Sequence, residues 1–261
     1  INDVSKLNVG HAQYSAMCYP DAGIVDDLIL YRKSDGYFMV VNAANIQKDF
    51  DWISQYVPDD THLEDISRDI SLVSLQGPQS RELLSMFTDI NLEMPFYTFK
   101  EGPICGFSAM VSHTGYTGEL GFEIYASEDA VITIWDALVE AGAQPAGLAA
   151  RDILRMEMAY CLYGNDINDQ TNPIEAGLSW ITALDKEKFI GFERIQQKKS
   201  EGSKRQLVSF AMEERGIPRQ GYEIFYDDNK IGFVTSGTQS PTLNKGIGLA
   251  YVDTTFNKIG Q

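Results

Sequence analysis

The chain has 261 residues, of which 44% are hydrophobic and 22% charged, with a formal charge of -16 and a pI near 4.5. That length could bury about 75% of the unfolded-chain surface in one large or two ordinary domains. No apolar run approaches the roughly 20 residues needed to cross a bilayer, and so acidic a balance argues against a nucleic-acid backbone as the main partner, because neutralising phosphates takes clustered Lys and Arg. A membrane span and a nucleic-acid partner are therefore excluded as expectations. Three cysteines (Cys18, Cys105, Cys161) and three histidines (His11, His62, His113) show neither a disulfide framework nor metal-ligand spacing, so no metal is expected and a reducing cytoplasm is the compartment that fits.

The sequence opens at Ile1 without Met or a targeting segment and stops at Gln261 without an element closing there, so it reads as a piece of a longer chain. Residues 11 to 42 alternate strand-like runs with Pro, Asp and Gly punctuation, a meander with a turn at Ser34-Asp35-Gly36. Helical spacing follows, with Ile46, Phe50, Ile53 and Val57 on one face. Strands are expected around HLEDIS (62–67), SLVSLQG (71–77), GFSAMVS (106–112) and GFEIYA (121–126), with a helix in PQSRELLSMF (78–87). A further helix covers about 128 to 141 and closes at Gly142. This order suggests an α+β chain with a split βαβ sheet in its middle. Residues 147 to 163 read as another helix, with Ala149, Ile153, Met156 and Tyr160 at core spacing. The polar stretch 197 to 205 reads as a linker, and beyond it QLVSFAM, YEIFYDD, KIGFVTSG and GIGLAYV are short strands of a small barrel or sandwich.

Chemistry enters first in GIVDDLIL (23–30), where Asp26 and Asp27 interrupt an apolar strand. Successive side chains of a strand point to opposite faces, so at most one of the two serves a given site. A carboxylate wedged among Ile and Leu tends toward a raised pKa and exchanges protons near neutrality; the plainer reading is a structural acceptor of backbone N–H groups. HTGYTGELGFEIYA (113–126) places Gly115, Gly118 and Gly121 before a strand bearing Glu123. It lacks both phosphate-loop patterns, and a strand follows rather than a helix. Glu123 is either a half-buried hairpin residue or an acceptor for a ligand's paired N–H donors.

In GLAARDILRME (147–157), Arg151 near a helix start could fork a ligand carboxylate, while Asp152 and Arg155 can pair along the helix surface. Tyr14, Tyr116, Tyr160 and Tyr163 could wall a planar ligand or serve the core. The basic run from Lys186 to Arg205 suits an acidic protein partner, or more plainly a solvated helix face followed by a linker.

Together QYSAMCYPDAGIVDDLIL, LQGPQS, TGYTGELGFEIY, GLAARDILRMEMAYCLYGNDI and PIEAGLSWITALDKEKFIG occur in the order seen in the T-protein family of the glycine cleavage system, and the sequence resembles that family over essentially its whole length. The resemblance implies a tetrahydrofolate-binding, three-domain cloverleaf. Residues 1–42 with about 143–196 would form a first folate-binding domain lacking its N-terminal part, 43–142 a ferredoxin-like middle domain, and 197–261 a truncated C-terminal β-barrel. The implied reaction moves an aminomethyl group from the lipoyl arm of H-protein to tetrahydrofolate, with release of ammonia. By the same resemblance Asp27 is the catalytic acid and Asp26 faces away. Glu123 would accept from the pterin amino and ring N–H groups, and Arg151 would pair with a folate-tail carboxylate. Tyr14 and Tyr116 would line the pocket, with Val40 or Val41 offering backbone. Two other readings are a folate-dependent demethylase of a small methylated amine or sulfonium compound, and a non-catalytic folate-binding regulator. The Lys-Gly-Cys-Tyr motif of the last group is absent from the sequence.

Overall fold

The structure, a computed structural model, describes residues 1–186 and 188–258. Glu187 of the basic run and the last three residues of the expected C-terminal domain lie outside the described residues. The chain mixes helices and sheets and divides into two compact units. One comprises Ile1–Val4, Tyr14–Leu28 and Ala149–Gln261, as far as it is described; the other comprises Ser5–Gln13 and Ile29–Leu148.

The second unit is built on a four-stranded antiparallel sheet. Strands β4 (Ser71–Gln76), β5 (Phe99–Ile104), β6 (Phe107–Ser112) and β7 (Gly121–Ala126) lie in the order β4-β7-β6-β5. Alternation along the strands gives the sheet two different faces. Val73, Leu75, Val111, Phe122 and Ile124 pack with Leu84 of α2 (Ser80–Ser85) and with Ala130, Ile134 and Leu138 of α3 (Glu128–Glu140). Met110, Tyr125 and Phe99 join a second cluster with Ala12 and with Tyr31 near the end of β2 (Ile24–Arg32). Ile29 to Arg32 of that strand pair antiparallel with β3 (Tyr37–Val40) across the expected turn, where the Lys33 N–H donates to the Gly36 carbonyl. The first helix, α1, covers Ile46–Ser54.

Three expectations for this region are corrected. HLEDIS forms no strand, because the Asp65 carboxylate turns the chain by accepting from the Ser67 N–H and hydroxyl at 2.9 and 2.5 Å. Conversely, FKEGPI is a strand despite Gly102 and Pro103; it occupies a sheet edge, where a missing N–H costs no ladder bond. The middle sheet is not a split βαβ unit: α2 joins strands at opposite edges that run in opposite directions, with two strands between them, where a split unit joins parallel strands one strand apart. The glycine-bearing hairpin 113–120 keeps β6 and β7 as neighbours, so no helix falls between them.

In the first unit, helix α4 (Leu148–Glu157) ends six residues short of the expected Tyr163. The chain leaves it through Ala159 at φ +57°, and the Tyr160 N–H reaches back to the Arg155 carbonyl at 2.8 Å. The cause lies downstream in Asp166. Its fully buried carboxylate accepts from Arg155 Nη1 at 2.7 Å, the Leu162 N–H at 2.9 Å, Thr235 Oγ1 at 2.5 Å and Ser236 Oγ at 2.8 Å. Arg155 is only 1% exposed and also donates to Asp152, the Tyr160 carbonyl and Ser236. The two hydroxyls come from β10 (Asn229–Ser240), which lies between β9 (Glu223–Tyr226) and β11 (Lys245–Asp253) in the antiparallel order β8-β11-β10-β9, with β8 at Arg205–Ala211. A register shift between Val234 and Ser236 leaves Thr235 as an extra residue, and that bulge lets neighbouring side chains reach one carboxylate. The expected linker at 197–205 is largely helix: α5 runs Phe192–Glu201, anchored by buried Ile195, and its basic residues end it on the side that suits the helix dipole.

Arg155→Met would leave Asp166 a buried charge without its guanidinium. Stability is expected to fall by about 3–5 kcal/mol, read as a lower urea midpoint at an unchanged m-value.

Candidate active site

In the first unit, Tyr14 lies on β1 (Ala12–Cys18) and Asp27 on β2. The turn between these strands is tied by the Tyr19 N–H to the Gly23 carbonyl and the Gly23 N–H to Asp21 Oδ1. A Cβ on Gly23 would stand 2.0 Å from the Asp169 carbonyl oxygen, so only glycine allows this approach. The next residue is held from both backbone groups: the Ile24 N–H meets the Asn168 and Thr171 carbonyls, and its carbonyl accepts from Tyr163 Oη at 3.1 Å. With the strand start fixed this way, alternation sends Asp26 to full burial and leaves Asp27 half-buried. Asp27 Oδ2 accepts the Tyr14 hydroxyl at 2.9 Å, and the Tyr14 ring stacks on Trp180 at 5.8 Å between centroids and 22° between planes. Trp180, 70% exposed, comes from a single 3-10 turn, Ser179–Ile181. Arg151 is exposed on the first turn of α4, as its place near a helix start predicts.

No thiol of this unit is activated. Burial pushes the Cys161 thiol up to about 12, reinforced by the charges of Asp166 and Asp27, and burial likewise pushes Cys18 up to about 12.

In the second unit, Glu123 sits on β7 directly opposite Ser112 of β6 and is half-buried. Its Oε2 accepts the Thr114 hydroxyl at 2.5 Å. Thr114 Oγ1 in turn lies 2.9 Å from Ser112 Oγ and 3.3 Å from Tyr31 Oη, which is 3.0 Å from Tyr125 Oη. Burial first, then the Glu123 charge, hold the Tyr125 phenol well above its usual range, with a hydrogen bond to Glu123 adding to the shift. The Gln76 amide bridges the hairpin at the Thr114 and Phe122 carbonyls, and a Cβ on Gly115 or Gly121 would stand 2.2 or 1.9 Å from its oxygen. Val40 packs beside Tyr31 and Tyr125, Val41 follows it past the strand end, and Tyr116 is half-buried in the hairpin.

Of the residues expected to form the site, the structure thus brings Tyr14 to Asp27 within one unit. Glu123, Val40, Val41 and Tyr116 belong to the other. Sequence reasoning missed Thr114, Tyr125, Tyr31 and Trp180. For Tyr125 a signal was available, since it shares a strand face with Glu123 two residues earlier; Tyr31 is 92 residues from Glu123, and nothing local links them. Tyr163 serves structure rather than walling a ligand. Among the described residues no group of three or more His, Cys, Asp or Glu side chains is placed to hold a metal ion, and no helix is long and apolar enough to cross a membrane.

These features define a mixed α+β protein in which the Asp27 and Glu123 carboxylates each accept a hydroxyl and the buried thiols are held protonated. Residues 1–186 match the model of the GCVT N-terminal domain, and residues 205–261 that of the glycine cleavage T-protein C-terminal barrel domain. The chain belongs to the glycine cleavage T-protein family. It is 48% identical over 257 residues to an aminomethyltransferase of Halothermothrix orenii, covering 96% of this chain and 72% of the relative. It is 49% identical over 266 residues to one of Flavobacterium psychrophilum, covering 99% and 74%. The crystal structure of glycine cleavage system aminomethyltransferase T from Bartonella henselae superposes with a TM-score of 0.87 at 32% identity, covering 96% of this chain and 70% of that one.

Alkylation separates the thiols. Cys18 and Cys161 are expected to resist iodoacetamide at pH 8 in the folded protein, with rates rising about tenfold per pH unit toward their pKa, because only the thiolate reacts. Mass spectrometry of labelled peptides should find Cys105, the only one of the three not fully buried, modified first.

Proposed function

We propose that this protein is an aminomethyltransferase: with tetrahydrofolate it takes the aminomethyl group from the lipoyl arm of H-protein, releases ammonia and yields methylenetetrahydrofolate. The family membership supports the reaction, and the Tyr14-supported, half-buried Asp27 is the observation that carries the chemistry. The donor and acceptor set suits the cofactor. Glu123 is an acceptor carboxylate for the pterin's amino and ring N–H groups, and the Arg151 guanidinium suits a tail carboxylate. Tyr14 and Tyr116 line the ligand with aromatic surface, and Val40 or Val41 offers backbone to the pterin edge. When bound, tetrahydrofolate supplies the ring nitrogen that accepts the one-carbon unit.

The chain's own residues orient the reactants and move protons. Asp27, fixed by the Tyr14 hydroxyl, orients the reacting amine and exchanges a proton with it. Asp26, buried on the other strand face, takes no part. No covalent bond to the enzyme is required, which agrees with the protonated state of Cys18 and Cys161. The three free cysteines suit a reducing cytoplasm. The domain division 1–42 with 143–196, 43–142 and 197–261 belongs to the same proposal; it is supported by the separate core of the middle sheet and by the barrel-domain match from residue 205.

Asp27→Asn keeps the size of the side chain and removes its basicity. With aminomethylated H-protein and tetrahydrofolate, kcat is expected to drop about 100-fold or more while near-ultraviolet circular dichroism is unchanged. Full turnover by a folded Asp27→Asn chain would remove the assignment.

A further inference from the structure

Each hydroxyl around Glu123 has a single proton to give, which limits how the network can be directed. Thr114 Oγ1 lies within reach of the Glu123 carboxylate, Ser112 Oγ and Tyr31 Oη, at 2.5, 2.9 and 3.3 Å. The carboxylate is the strongest acceptor, so the Thr114 proton goes to it; the Ser112 hydroxyl has the Thr98 carbonyl at 3.5 Å as a further acceptor. Tyr125 shares the strand face of Glu123, and its hydroxyl lies 3.0 Å from that of Tyr31. Tyr31 then gives its proton to Thr114 or Tyr125. The Thr114 proton is thereby committed to Glu123. Ser112, Thr114, Tyr31 and Tyr125 are at most 5% exposed, and the two tyrosine rings are locked edge to face at 5.7 Å, so the hydroxyls are held in place before any ligand arrives.

We propose that Thr114 and Tyr125, backed by Ser112 and Tyr31, are positioning residues that keep Glu123 an ionised, acceptor-only carboxylate in one orientation. They thereby set the enzyme's preference for a flat heterocycle that presents an amino group and a ring N–H side by side. This rests on the folate-binding role given to Glu123 above. Burial by itself favours the protonated acid, whose O–H would oppose a ligand donor; hydroxyl donors stabilise the ionised form and offset that tendency. Removing a donor should raise the carboxyl pKa in the site, so ligand binding is lost at a higher pH as the solution is acidified.

The test measures tetrahydrofolate affinity and turnover of the full chain across pH 5–8. Thr114→Val, nearly isosteric, is expected to raise Kd about tenfold and to move the acid limb of binding up by about one pH unit. Its kcat at saturating tetrahydrofolate should stay within about twofold. Thr114→Ser should restore both affinity and pH profile, which a merely structural role of the threonine methyl would not allow. Tyr125→Phe, expected to shift the limb in the same direction, serves if the valine variant does not fold. Unchanged affinity and acid limb in the folded variants overturn the proposal. Glu123→Gln separates the two levels: if it weakens binding while Thr114→Val and Tyr125→Phe do not, only the positioning role falls; if it binds as tightly as the unaltered chain, the pterin-binding role of Glu123 falls with it.

Discussion

The Arg155–Asp166 pair fixes more of the first unit than any other single contact. Two opposite charges removed from water are tolerable only when their remaining donors and acceptors are matched, and here the matching partners come from α4, from the 160–162 segment and from a bulge in β10. Tyr251 of β11 adds its hydroxyl to the Asp166 carbonyl at 3.0 Å. Segments distant in sequence are therefore held to one point by directional bonds rather than by apolar contact alone. From that point the chain runs through 167–171 to the carbonyls that grip Ile24, three residues before Asp27. The acid proposed to carry the chemistry thus sits on a strand whose start is indexed to the ion pair.

Carboxylates in this protein are supported in two ways. Asp166 is bound by the Arg155 guanidinium, and buried Glu175 is clasped by Arg205 at 2.9 and 3.3 Å, with the guanidinium lying over the Tyr251 ring. A paired cation cancels charge as it orients, which suits a group whose task is to hold chain segments together. Tyr14 and Thr114 instead bring hydroxyls to Asp27 and Glu123. A neutral donor orients a carboxylate without cancelling its negative charge.

Much of the local structure was legible in the sequence. The meander of 11–42, the helix closing at Gly142 and the four C-terminal strands follow from alternation, helical spacing and turn residues. The adjacent aspartates announced one buried and one accessible acid, because a strand cannot send both the same way. What failed to show was whatever a distant partner decides. Asp166 ends α4 early by claiming Leu162 and Arg155, though the residues up to Tyr163 keep helical spacing. Gly102 and Pro103 argue against a strand until the sheet offers an edge. The stretch 197–205 looks like a linker because polar and charged residues dominate it, yet the helix that precedes it, seated by buried Ile195, continues to Glu201.

The site was legible to a different depth. Asp27 and Glu123 stood out as polar residues in apolar strands, but their supporting hydroxyls did not, since Ser and Thr are common at turns and Tyr is common in cores. Tyr31 is informative only once β2 has brought it beside Thr114 and Tyr125, far along the chain. Alternation names the acid; the hydroxyls around it are chosen by tertiary packing. A substitution such as Thr114→Val, which preserves pattern, volume and β-propensity, should therefore escape every sequence-level rule and still alter what the neighbouring carboxylate can bind.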